Sequence, residues 1–75
     1  MDVRELLRAL ALAIPDARIH LRLADDRVVV GLCDQPAGKF YDAALEETDH
    51  ARPVADVAVE IAEFYKASRA GMVRP

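Results

Sequence analysis

The segments Arg18-Ile19-His20-Leu21-Arg22-Leu23 and Arg27-Val28-Val29-Val30-Gly31-Leu32-Cys33 flank a short polar join, Ala24-Asp25-Asp26. With a two-residue turn at Asp25-Asp26, Leu23 faces Val28, Leu21 faces Val30 and Ile19 faces Leu32, so one face of the pair is entirely aliphatic. A four-residue loop gives the same register. Successive side chains on a strand alternate sides, so the other face carries Arg18, His20 and Arg22 beside Arg27, Val29, Gly31 and Cys33. The pattern predicts a hairpin with one buried side and one basic side.

Helical spacing brackets this hairpin. Val3, Leu6, Leu7, Leu10 and Ile14 recur along one stripe while Arg4, Glu5 and Arg8 fall largely outside it, predicting a helix over about residues 2–13. Pro15 disfavours helix at Ile14 and ends the element there. Leu12 lies off the main stripe. A longer helix is expected to begin near Pro53, which suits a first helical position. Val54, Val57, Ile61, Phe64, Tyr65 and Ser68 form its inner face, with Asp56, Glu60 and Glu63 outside and Val59 off the stripe. Early acids and late Lys66 and Arg69 complement the helix dipole, and Gly71 is a natural stop. Residues 72–75 then form a loose tail to a single domain over 1–71.

Residues 39–48 are ambiguous by propensity alone, because alanine, leucine and glutamate favour helix. The turn signal Asp34-Gln35-Pro36-Ala37-Gly38 follows a strand directly, and a return through it sets Tyr41, Ala43 and Leu45 on the aliphatic face. Phe40, Asp42, Ala44 and Glu46 then point outward. A lone hairpin under two helices also makes a thin sheet. The expected fold is therefore α+β: helix, three antiparallel strands, helix, with both helices on one face of the sheet.

Size and charge limit the functions open to such a chain. At 75 residues it lies near the lower limit for a core without metal or disulfide support, and many of its hydrophobic residues are alanines. Cys33 is the only cysteine, which excludes an intramolecular disulfide and fits a reducing cytoplasm. Arg4, Glu5 and Arg8 interrupt what a signal peptide would need as its apolar core, and no apolar run approaches membrane-spanning length. The net charge of -3 opposes generic affinity for nucleic acid or anionic membranes. Residues 1–33 balance in charge, whereas residues 34–63 hold eight carboxylates against Lys39 and Arg52. That acidic stretch reads first as a solvated face.

No catalytic or phosphate-binding motif is present: the chain has no glycine-rich phosphate loop, no paired histidines at metal spacing and no nucleophile elbow. Neither a cofactor nor a metal is expected. If the second strand is central, His20 and Asp42 flank Gly31 with Cys33 diagonal to His20, a set that in principle suits a thiol nucleophile. A flat sheet face offers it no water-excluding pocket, and a lone cysteine near a strand end is ordinarily a packing residue.

The basic row Arg18, His20, Arg22 and Arg27, with Phe40 near Cys33, supports a nucleic-acid reading. Single-stranded RNA needs several stacking aromatics, however, and Asp42 and Glu46 stand ready to pair with the arginines across the strands. The element order resembles the topology of double-stranded RNA-binding domains over nearly the whole chain. That family carries a lysine cluster at the start of its last helix, where Arg52-Pro53-Val54-Ala55-Asp56 offers one arginine and then an acid. Fold order does not carry function without its site. The expectation is thus a non-catalytic protein-interaction module, binding a protein partner or a second copy as a homodimer, with nucleic acid as the alternative and no membrane. Its candidate surface is the outer sheet residues Arg18, His20, Arg22, Arg27, Val29, Cys33 and Phe40, with Leu12 and Val59 on the helices.

Overall fold

The computed structural model describes residues 1–71, so the tail expected over 72–75 lies outside the described residues. Helix α1 (Val3–Ala13) leads into strands β1 (Ala17–Ala24), β2 (Arg27–Asp34) and β3 (Lys39–Ala44), a short 3-10 helix (Glu47–Ala51) and helix α2 (Val54–Arg69). The strands form one antiparallel sheet in the order β1-β2-β3, with the helices on one face. The α+β fold expected from the sequence is the fold observed.

The hairpin has the register its alternation demands, pairing Leu23 with Val28, Leu21 with Val30 and Ile19 with Leu32. Asp25 and Asp26 form the turn with φ of 52° and 62°. Two left-handed residues twist the turn in the sense of the strands it joins, which a turn of ordinary dihedrals does not. Aspartate tolerates that conformation better than most residues but not as freely as glycine.

The helix ends follow from local chemistry. The Asp2 side chain caps α1 by accepting a hydrogen bond from the Arg4 amide at 2.9 Å, satisfying one of the donors that a helix start leaves open. Ile14 breaks from helical dihedrals before Pro15 while its amide still reaches the Leu10 carbonyl at 2.8 Å. Pro53 occupies the N-cap of α2 in an extended conformation, one position earlier than the sequence suggests, and its carbonyl accepts from the Asp56 and Val57 amides.

The strand expected over 39–48 is correct for Lys39–Ala44 and stops there. Leu45 still donates to the Val28 carbonyl at 2.8 Å, but the Glu46 amide turns to the Asp49 carboxylate at 2.8 Å. This closes a reciprocal capping box that starts the 3-10 helix. The same backbone bond is the main reason that the Asp49 carboxyl lies below its usual range, with Arg52 contributing further. Arg52 also holds Glu60 by two hydrogen bonds of 2.7 and 2.8 Å, fastening the linker to α2.

The core joins Leu6, Leu10 and Ile14 of the first helical segment to Val30 and Leu32 of β2, to Leu45, and to Val57, Ala58, Ile61, Ala62 and Tyr65 of α2. Each large aliphatic side chain buried here contributes about 1.5–3 kcal/mol, so a few positions carry the fold. Ala58 and Ala62 are buried where the sequence suggests only the larger residues, because small side chains let α2 approach its neighbours closely. Tyr65 is fully buried against Tyr41, the ring centroids 5.9 Å apart and the planes at 83°. The Arg69 guanidinium lies 5.3 Å from the Tyr65 ring centroid and reaches buried Asp34 at 3.3 Å. Burial, and secondly the Asp34 carboxylate, push the Tyr65 phenol up from its ordinary value.

Two stability measurements follow. Asp26→Gly relieves a left-handed aspartate and is expected to raise stability by about 0.5–1 kcal/mol, read as a higher urea midpoint at unchanged slope; a fall would show that the Asp26 side chain holds the turn. The Tyr65 hydroxyl has no hydrogen-bond partner among the described residues. Tyr65→Phe is therefore expected to stabilise the protein by about 1 kcal/mol, and a loss of similar size would reveal a bond to that oxygen.

Candidate functional site

The outer face of the sheet brings together the residues that the strand alternation assigns to it. Gly31 is flanked by His20 on β1 and Asp42 on β3, and Cys33 lies between Arg18 and Phe40. The His20 imidazole lies on Gly31: a Cβ at that glycine would sit 2.3 Å from both its Cε1 and its Nε2. The glycine therefore serves close packing of a ring on backbone.

Two ion pairs cross this face. Arg22 on β1 reaches Asp42 on β3 with Nη2 to Oδ2 at 2.6 Å, spanning the central strand. Arg27 reaches Glu46 at 3.3 Å. Both are about half exposed, so each contributes at most about 1 kcal/mol, but they neutralise two of the three arginines on the face. Val29 is opposite Arg22 on one side and Ala44 on the other, beneath the first bridge, and is only 6% exposed. Its place in the candidate interaction surface is corrected accordingly: the arginine stem and its cross-strand partner cover it, as long charged side chains cover apolar surface elsewhere.

The bridge also bears on the thiol constellation. Asp42 is engaged by Arg22, and among the described residues no hydrogen bond links His20 to Asp42 or to Cys33. Cys33 is half-buried beside Phe40, and the described residues include no group of metal-ligating side chains. Arg18 and His20 are exposed and take part in no ion pair among the described residues. Phe40, Leu12 and Val59 are exposed, as the sequence suggests, with Leu12 at 85%.

A further surface escapes sequence reasoning. Leu23, assigned by its alternation to the buried side, is 79% exposed. With Leu21, Val28 and Val3 it lines an open apolar cleft of about 380 Å³, flanked by Arg22. The cause is a mismatch of lengths: the 11 residues of α1 rise about 16 Å, whereas the 8 of β1 extend about 26 Å. The hairpin tip thus projects beyond its helix, and comparing those lengths is the signal that could have found it.

The backbone of β1 is open along the same edge. Val28 receives its bond from Leu45, on the β3 side, so it and Leu23 form a pair without mutual hydrogen bonds. Leu23, and by the same alternation Leu21 and Ile19, turn their amides and carbonyls away from β2. Comparison with known proteins gives no matching family model, curated relative or solved structure. No described helix is long and apolar enough to cross a membrane.

The His20 packing is directly testable. Gly31→Ala is expected to displace the ring, changing the His20 Cε1 proton shift, at a stability cost of about 1 kcal/mol because an exposed side chain can swing away. A cost several times larger would mean that Gly31 is required by the backbone instead.

Proposed function

We propose that this chain is a non-catalytic protein-interaction module whose main contact is the β1 edge and its apolar cleft. The observation that carries this reading is Leu23, a large aliphatic residue exposed beside Val3, Leu21 and Val28 on an edge strand whose outer amides and carbonyls meet no further strand among the described residues. Single exposed hydrophobic residues are ordinary on protein surfaces, but a contiguous apolar cleft along an open edge offers a partner both burial and hydrogen bonds. Phe40, Leu12 and Val59 are secondary contacts on other faces.

The alternative is a nucleic-acid interface on the outer face, favoured by Arg18, which has no ion-pair partner among the described residues. It is opposed by the pairing of Arg22 and Arg27 with acids, by the single exposed aromatic ring on that face, and by the net charge of -3. Light scattering at micromolar and higher concentrations, with and without RNA and DNA oligonucleotides, separates the two readings. The expected result is no gain of mass with oligonucleotide. Any self-association is expected to weaken in Leu23→Ser while the helical circular dichroism is retained. A gain of mass with oligonucleotide that added salt reverses would overturn the reading.

A further inference from the structure

The open edge of β1 carries a charge pattern that restricts what can pair with it. Its inward side chains Ile19, Leu21 and Leu23 are apolar, and its outward ones, Arg18, His20 and Arg22, are two arginines and an imidazole. A strand added to this edge places its alternate residues beside one set and then the other, since every side chain keeps to one face of the sheet.

A second copy pairing antiparallel through β1 brings no acid of that strand to Arg18, because Ala17–Ala24 contains none. Centred on His20, the pairing sets Arg18 directly opposite Arg22, and like charges so placed destabilise a strand pair. Arg18 has no ion-pair partner among the described residues to offset this, whereas Arg22 has Asp42. The edge is therefore poorly complementary to itself. It is complementary to a strand with acids at the outward positions and aliphatic residues at the inward ones, the latter extending the Leu21-Leu23-Val3 cleft.

We propose that the β1 edge captures an extended segment of another protein in which acidic and aliphatic residues alternate, adding it as a fourth strand beside Arg18–Leu23. This deepens the interaction reading above and rests on it. Ile19, Leu21 and Leu23 supply the backbone hydrogen bonds, their side chains and Val3 the apolar contact, and Arg18 the preference for acids.

The probe is a short soluble peptide alternating glutamate and valine, titrated into the isotopically labelled protein and followed by NMR. The expected result is saturable binding with new exchange protection at the Ile19, Leu21 and Leu23 amides, about tenfold tighter than for the same peptide with lysine replacing glutamate. Arg18→Glu, a change at an exposed residue outside the core, is expected to abolish or invert that preference. N-methylation of the peptide at either the valine or the glutamate amides removes donors on one of its edges, so one methylated form is expected to lose binding and the other to keep it. Equal binding of acidic and basic peptides, loss of binding in neither methylated form, or shifts confined to Phe40 or the helices would overturn the proposal. If the acidic peptide fails to bind a protein that still self-associates in light scattering, the strand assignment falls and the interaction reading stands.

Discussion

The turn at Asp25-Asp26 ties the register of the hairpin to the position of nearly every other side chain. Both residues hold left-handed dihedrals, and a turn of that kind admits one pairing of β1 with β2. A slip of one residue would turn one strand over relative to the other, putting either Val29, Gly31 and Cys33 or His20 and Arg22 on the helix side, because paired residues share a face. The helices would then have no continuous aliphatic layer to cover. Because β2 is central, the same register carries through to β3, where Tyr41 comes opposite Leu32 and Ala43 opposite Val30. Tyr41 in turn supports Tyr65, so the turn at one end of the hairpin governs aromatic packing at the other.

That far end is secured by a second device. Arg69, in the last turn of α2, reaches Asp34 at the end of β2 and Asp16 before β1, and lies over Tyr65. One cation near a helix C-terminus therefore meets two acids, an aromatic ring and the helix dipole together. The buried Asp34 carboxylate depends on it, since an unpaired charge at that depth would be costly. The fold is thus closed at the Arg69 end, and at the hairpin tip it is open.

What was legible in the chain and what was not divide along physical lines. The register, the outward row from Arg18 to Cys33 and the cross-strand pairing of Arg22 and Arg27 with Asp42 and Glu46 follow from alternation, which is local and has a fixed period. Strand β3 was legible only through the turn before it and the partner it completes, because the propensities of its alanines point the other way. The end of that strand at Ala44 was not legible, since it depends on the Asp49 side chain folding back onto the Glu46 amide. Val29 and Leu23 keep their assigned faces but invert the burial expected there, for a shared reason. Alternation says which way a side chain points, whereas burial depends on what reaches it: Arg22 reaches over Val29, and α1 falls short of Leu23.

The same geometry separates the two halves of the candidate surface. On the outer face, charges are consumed within the molecule: each bridge that crosses the sheet covers apolar area and removes a cation from the field a polyanion would meet. At the β1 edge the balance is different, because among the described residues Arg18 and His20 have no ion-pair partners, and they stand beside backbone groups that the sheet leaves unsatisfied. Charged side chains on an edge strand commonly protect it against uncontrolled pairing. Protection of this kind is selective, since an unpaired cation repels its own sign and attracts the opposite one. An edge that is apolar on one side, carries Arg18 on the other and is uncovered at Leu23 therefore suits the proposed contact better than the flat face, whose charges are paired within the molecule.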